Sequence, residues 1–402
     1  MQNSSTTSFY NFTIVGAGAS GLWLANAMID NGLLINKTLC IVESDNNKTN
    51  DRTWCYWAKE NIKEPKIVSK EWRSIKDLYG DRNNQIFPYK YYHVKSNDFY
   101  RHLKTKLTQN PNICWKVETV NTVDKLTEGK LCVQTINQSW ETDYAFLAAL
   151  PAKDKDLETN KLNLYLGSQG KKIFMWQSFV GYRIKTNAPV FNPSEIAMMD
   201  FNADQANATQ FFYELPFSEN EALIEFTRFG TEIIDDDYAI SQIENRLKSK
   251  NISYQILEIE KGAIPMTPQF DQHNNSLSNN QNIIYIGTLG GAIKPTTGYG
   301  FKRMFDYAEE LAKALKNENK SNLPTMKRKW RFRVYDIILI QILLETPNLG
   351  KNIFQTLFTN QPIKRILKFL DEETSIIEEV KIFYRLPLLP FTKSLLKYLF
   401  VR

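Results

Sequence analysis

Histidine is scarce in this chain, and cysteine carries no pattern. The three histidines (His93, His102, His273) stand far apart, and the four cysteines (Cys40, Cys55, Cys114, Cys132) form neither a C-x-x-C pair nor a metal-ligand spacing. A metal-dependent enzyme is therefore not expected. No apolar run approaches the ~18 residues needed to cross a bilayer. The longest, Ile337 to Leu344, is interrupted by Gln341 and flanked by Asp336 and Glu345. The polar stretch Met1 to Tyr10 lacks the apolar core of a signal peptide. These absences predict a cytoplasmic protein with reduced thiols. A strong charge of one sign is missing too: 50 Lys and Arg stand against 44 Asp and Glu, and the net +6 makes no case for nucleic acid as a partner.

A chain of 402 residues, 43% hydrophobic and 13% aromatic, can bury the cores of two or three domains and is not disordered as a whole. Its charge is unevenly spread. Residues 327–402 carry 14 basic and 7 acidic side chains, whereas the first 326 residues carry 36 and 37. This C-terminal fifth is also rich in Ile, Leu and Phe. Basic plus apolar character suits a membrane surface or a partner groove, and it equally suits a helical subdomain with a solvated basic face.

Residues 10–43 read as a β-α-β unit. Asn11–Val15 is an apolar strand, Gly16-Ala-Gly18-Ala-Ser20-Gly21 follows directly, Leu22–Ile29 continues as an apolar helix, and Lys37–Glu43 is a second strand ending on an acid. In a dinucleotide fingerprint the first glycine turns the chain, the second admits a pyrophosphate to the backbone, and the third lets helix and strand pack closely. The helix N-terminus then faces the phosphates. Glu43, 22 residues after Gly21, stands where an acid accepts ribose hydroxyls. A glycine-rich turn without ligand is the alternative, and the complete unit argues against it.

Arg52-Thr-Trp54-Cys-Tyr-Trp57 places aromatics beside an arginine, by spacing alone more suited to core than to a cleft. Asn97–Leu107 has helical periodicity, 112–123 and 129–138 suggest a hairpin, and Asp143–Leu150 suggests a third parallel strand. From Lys171 to Thr227 the pattern alternates and is aromatic, as for an inserted antiparallel sheet with one apolar face. Asn282–Gly287 is a further strand. It closes on a glycine-rich loop with Gly287, Thr288, Gly298, Tyr299 and Gly300, before a helix from Lys302 to about Lys316. Two nucleotide-facing turns imply a long ligand along the carboxyl edge of the sheet, and FAD has that length.

The expected fold is α/β: a Rossmann-type FAD-binding domain (1–60, 90–165 and 275–325), an inserted antiparallel β-sheet substrate region (60–90 and 166–275), and C-terminal helices (326–402).

The ordered motifs Gly16-x-Gly18-x-x-Gly21, Arg52-Thr-Trp54, Gln177–Gly181, Met199-Asp-Phe201, Leu223-Ile-Glu225-Phe-Thr227, Gly262–Pro265, Lys294–Tyr299 and Phe369–Thr374 resemble those of bacterial flavoprotein-type lycopene cyclases over essentially the whole chain. Two departures stand out. Thr288 occupies the place where flavoproteins of this fold usually carry an Asp, and the Leu-Ile-Glu-Phe-Thr motif holds one acid, Glu225, where many cyclases hold two.

The resemblance implies conversion of the ψ-ends of lycopene, and of other acyclic carotenoids, to β-rings without net oxidation, giving γ-carotene and then β-carotene. It implies Glu225 as the acid that protonates the terminal alkene; a solvent-facing strand glutamate, or one paired with Arg228, is the plain alternative. Trp54, Trp57, Trp176 and Tyr299 are candidates to stabilise the cation through their ring faces. Gly16, Gly18, Ser20, Gly21, Glu43, Arg52, Gly287, Thr288, Gly298 and Gly300 are candidates to hold FAD, active in its reduced form with NAD(P)H as external reductant. A bilayer-dwelling substrate implies peripheral membrane attachment, through Lys327–Arg333 with Ile337–Ile340 and through Leu386–Phe400. The rivals are an FAD-dependent monooxygenase or prenyl-chain reductase acting on a membrane lipid, and a non-catalytic carotenoid- or flavin-binding protein. β-, ε- and γ-rings differ only in the proton lost, and no residue here selects among them.

Overall fold

The computed structural model describes residues 8–45, 48, 52–80, 84–126, 129–155, 173–270, 282–317, 323–326 and 328–400. The sequence readings at residues 1–7, Lys171, His273 and Lys327 lie outside these.

Five parallel strands form the first layer. In spatial order they are β7 (Ile113–Val117), β2 (Leu39–Glu43), β1 (Ser8–Val15), β10 (Ser139–Leu147) and β16 (Ile283–Tyr285). Strand β10 is long enough to change neighbours: its second half pairs with β16 and its first half with β9 (Leu131–Thr135), which runs antiparallel and continues to β8 (Val120–Lys125). The hairpin expected over 112–138 is therefore only β8–β9. Residues 113–117 leave it to cover the outer edge of β2, whose residues Leu39 to Val42 are fully buried and need a neighbour on that side.

One face of this sheet carries the helices α1 (Ala19–Asp30), α2 (Ser96–Thr108) and, later in the chain, Phe301–Lys316; the other is covered by the β8–β9 meander. Helix α1 is apolar almost all round because it is sandwiched between the sheet and Phe301–Lys316.

The inserted antiparallel sheet runs β15 (Tyr254–Met266), β11 (Met175–Thr186), β14 (Glu221–Gly230), β13 (Thr209–Ser218), β12 (Glu195–Asp200) and β5 (Ser74–Ile75), the last pair being parallel. Period-2 alternation divides β14 sharply. Ala222, Ile224 and Phe226 pack against α3 (Asp236–Ser249), while Leu223, Glu225, Thr227 and Phe229 face the other way. A three-stranded sheet, β3 (Thr53–Ala58), β6 (Lys90–Lys95) and β4 (Val68–Trp72), shares a core with that second face.

Five helices close the chain. After α4 (Phe301–Lys316) come α5 (Trp330–Glu345), α6 (Leu349–Asn360), α7 (Ile363–Leu370), α8 (Ile376–Phe383) and α9 (Leu388–Phe400). Their inner faces complete the core beneath β13 and β14.

Of the two segments expected to lie on a membrane, the apolar part of the first is corrected here. Ile337, Ile338 and Ile340 are buried core, as is Phe332. Much of the basic run before them neutralises acids: Arg331 pairs with Glu379 at 3.0 Å, and Arg328 is buried in an ion cluster.

That cluster ties the glycine-rich loop to the C-terminal helices. The Lys294 Nζ lies 3.3 Å from both Asp336 Oδ1 and Glu372 Oε1, Arg328 contacts the same two carboxylates, and Thr296 Oγ1 donates to Asp336 at 2.7 Å. Burial alone would raise the pKa of Asp336 and of Glu372. Lys294 and Arg328 outweigh it and hold both below their ordinary values. Two cations and two anions balance, so removing one strands a buried charge. Asp336→Asn is expected to lower unfolding stability by about 3–5 kcal/mol at pH 7. Because the folded pKa is depressed, this contribution is fully present above the ordinary carboxylate value and is lost as pH falls from there through the lower folded pKa. In urea titrations the gap between wild type and variant should close on acidification; a gap independent of pH would contradict the assignment.

Candidate active site

The turn after β1 is shaped as its glycines require. Gly16 sits at φ +96°, in the left-handed region, and a Cβ on Gly21 would lie 2.1 Å from the Gly16 carbonyl oxygen. A Cβ on Gly18 would meet nothing within 4 Å, although residues on both sides are buried. Gly18 leads into α1 with no side-chain cap, so the first helical N–H groups point toward that space.

Ser20 Oγ is buried without a partner among the described residues, and a Cβ on Gly287 (φ +66°) would stand 2.7 Å from it. The two glycine-rich turns thus meet at Ser20, with Thr288 following in the second. Glu43 accepts the Ala17 N–H at 2.7 Å and also binds Lys48. Burial acts against its charge, but Lys48 and the backbone donors keep it ionised. Arg52 is exposed; its backbone N–H donates to Ser96 Oγ at 3.1 Å, which fixes the start of β3.

Further along the second loop, Gly298 (φ +74°) leaves room beside Gln177 Oε1, which a Cβ would approach to 2.5 Å; Gly300 precedes α4, where a Cβ would reach Ile293 at 2.5 Å. Gln177 Oε1 and Thr297 Oγ1 are also buried without partners among the described residues. A cradle of glycines with unpartnered buried polar atoms at both ends fits a dinucleotide cofactor.

Beyond Gly298 opens a cleft lined by Thr53, Trp54 and Cys55 of β3, Tyr91 of β6, Gln177 and Phe179 of β11, Tyr213 and Leu215 of β13, Leu223 and Glu225 of β14, Ile264 of β15, and residues 297–301. Glu225 belongs to the half of β14 that faces this cleft. It is not solvent-facing, and Arg228 has the opposite parity on the strand. Instead Thr227 Oγ1 donates to Glu225 Oε1 at 2.7 Å.

In register opposite Glu225 on β11 stands Gly181, and opposite Gly181 on β15 stands Glu260. With no side chain between them, the two carboxyls are close enough across β11 for each to act on the other's ionisation. Thr53 Oγ1 donates to Glu260 Oε2. Burial first, then the neighbouring carboxyl, push Glu225 well above the ordinary carboxylate range. Burial raises Glu260 too, against the opposing Thr53 hydrogen bond.

The aromatic candidates part company. Tyr299 lines the cleft, its hydroxyl 2.9 Å from that of Tyr91 and hydrogen-bonded to Tyr213. Trp54 lines it too and stacks on Phe301, with centroids 4.9 Å apart. Trp57 stands behind, edge-on to Tyr299 at 4.8 Å. Trp176 is one residue out of phase with Gln177 and Phe179, so its ring lies on the opposite face of β11, against Phe174. Burial raises the Tyr91, Tyr213 and Tyr299 phenols and the Cys55 thiol, which keeps all four neutral.

Sequence reasoning missed Glu260, Tyr91, Tyr213 and Phe179. The usable signal lay in two motif glycines. A Cβ at Gly181 would approach Glu260 Cγ to 3.0 Å, and one at Gly262 would approach Phe179 Cζ to 2.8 Å.

A family model described as Lycopene cyclase protein matches residues 11–396. The lycopene beta-cyclase of Paracoccus sp. (strain N81106 / MBIC 01143) is 27% identical over 138 residues, 34% of this chain and 36% of that protein, so the alignment spans about a third of the relative's length. Among solved structures, a geranylgeranyl bacteriochlorophyll reductase-like protein from Thermoplasma acidophilum superposes with a TM-score of 0.53 at 12% identity, covering 96% of this chain and 98% of that one. A flavoprotein/dehydrogenase from Cytophaga hutchinsonii superposes with a TM-score of 0.54 at 10% identity, covering 97% and 100%. Likeness at these identities establishes a shared fold.

Proposed function

Because the chain belongs to the lycopene cyclase family, we propose that it closes β-rings on the ends of lycopene by proton-initiated chemistry without net oxidation. The observation that carries this reading is Glu225, a half-buried carboxyl facing a cleft walled by aromatic rings, where desolvation and the neighbouring Glu260 favour its neutral form. An acid that protonates an alkene must hold its proton at neutral pH and deliver it away from water. Glu225 meets both needs.

Protonation of the terminal double bond leaves a tertiary cation, the neighbouring double bond attacks it to close a six-membered ring, and loss of a ring proton restores neutrality. The faces of Trp54, Phe179 and Tyr299 stabilise positive charge through their quadrupoles. The neutral Cys55 thiol and phenols offer no anionic nucleophile to trap the cation. We assign FAD to the cradle of Gly16, Gly18, Ser20, Gly21, Glu43, Gly287, Thr288, Gly298 and Gly300, and leave out Arg52. Held by these residues in its reduced form, with NAD(P)H as reductant, FAD would supply negative charge to stabilise the cation.

Lycopene is taken from a bilayer surface. No helix among the described residues is long and apolar enough to cross a membrane. The exposed apolar side chains of α9, with Leu389 83% and Phe400 79% exposed, together with Trp330 at 75%, support contact with lipid.

Two measurements test these proposals. In a lycopene-accumulating bacterial host, wild type should yield a cyclic carotenoid, while Glu225→Gln should leave lycopene unconverted with flavin-loaded protein present. Unchanged lycopene in the wild-type strain would turn the assignment toward a monooxygenase or prenyl-chain reductase. In flotation with anionic liposomes, wild type should rise with the vesicles. A Leu389→Ser/Phe400→Ser variant should remain mostly in the soluble fraction, and equal flotation of both would rule out α9 as the contact.

A further inference from the structure

Behind Glu225, on the side away from the substrate cleft, stands Glu260. Glu260, 7% exposed, separates that cleft from a small recess on the other side of Thr53 and Leu223, with room for about one water. The recess is polar, with His93, Lys95, Arg183 and Glu258 in its wall. Lys95 and Glu258 are half-buried and lie toward solvent. No N–H or O–H of the described residues reaches Glu260 Oε1, the oxygen nearer Gly181, whereas Oε2 is held by Thr53. Two carboxyls can contact each other only through a proton, since an ionised carboxylate has no donor.

We propose that Glu225 and Glu260 share one proton, and that Glu260 is the positioning residue through which Glu225 is reprotonated from the polar recess after each ring closure. This rests on Glu225 being the acid. When Glu225 gives its proton to the alkene, two carboxylates face each other across Gly181. Their repulsion draws a proton from the recess onto Glu260, and it passes along the shared hydrogen bond to Glu225. The ring proton released at the end of cyclisation balances the one taken up, so the cycle consumes none.

The charges around the pair are distributed to suit this. Arg183 of β11 approaches Glu260 but is itself bound to Glu221 at 2.6 Å and stacked on Phe217. Glu258 of β15 opposes ionisation of Glu260. From β6, His93 is held neutral, its pKa pushed down to about 3 by burial, Arg183 and Lys95. On the cleft side Cys55, Tyr91, Tyr213 and Tyr299 are neutral. Among the described residues, Arg183 is the cation whose charge bears on Glu260.

The test uses purified flavin-loaded protein with lycopene in liposomes, following conversion against pH for wild type, Glu260→Gln, Thr53→Val and Glu225→Gln. Glu225 must be protonated, so activity falls as pH rises through its raised pKa. Glu260→Gln removes the neighbouring charge that helps to raise it, and the alkaline limb should move down by about one pH unit or more. A single turnover should proceed near the wild-type rate, while repeated turnover slows by about 10- to 100-fold. Thr53→Val frees Glu260 to hold the proton itself, which should lower the plateau and move the limb upward. An unmoved alkaline limb in both variants, or equal loss of single and repeated turnover in Glu260→Gln, would overturn the proposal. Activity in Glu225→Gln would instead refute the assignment of Glu225.

Discussion

Two carboxyl groups held side by side and shielded from bulk water resist carrying two charges, and much of this molecule is arranged to keep Glu225 and Glu260 close. Glu225 and Glu260 come from strands that are not neighbours. They meet only because β11 runs between β14 and β15 and carries Gly181 at the crossing point. Any side chain there would separate them. A register slip of one residue on β14 would turn Glu225 into the α3 face and Phe226 into the cleft. The packing of Ile224 and Phe226 against α3 fixes that register, so an apolar contact on one side of the sheet sets the acid on the other.

The same logic links the glycine-rich loop to the C-terminal helices. Residues 297–301 form one wall of the cleft, and their position depends on Lys294 and Thr296 being held by Asp336, with Glu372 and Arg328 completing the cluster. A segment that reads in sequence as basic and membrane-seeking is spent largely on this internal neutralisation. The exposed apolar side chains lie at Trp330, within that segment, and further on along α9. In the proposed function this gives the helices two duties, bracing the loop on their inner faces and meeting the bilayer on their outer ones.

What could be read from sequence was what depends on local chain geometry. The β-α-β unit is legible because Gly16, Gly18 and Gly21 answer to turn and packing constraints within a few residues of one another, and because Glu43 follows at the distance a crossover helix imposes. The inserted sheet was legible from its alternation. Parity relative to a distant cleft was not, which is why Trp176 was placed beside the substrate when it lies on the far face of β11. Glu260 was invisible for a related reason. In Glu258-Ile-Glu-Lys261 it reads as an exposed strand acid, and only the pairing of β15 with β11 brings it inside. Tyr91 and Tyr213 likewise enter through the docking of separate sheets. Ile337 to Ile340 show the converse error, since an apolar run beside basic residues looks the same whether lipid or core awaits it.

The central claim is that a proton from the Glu225 carboxyl, and not a hydride from a cofactor, starts the reaction. The most direct measurement is the mass of the cyclic product formed by the flavin-loaded protein in deuterated water with unlabelled reductant. The account predicts one deuterium gained for each ring closed, because Glu225 is reloaded from solvent. Rings closed without solvent deuterium, or product formed with one NAD(P)H consumed per turnover, would contradict it.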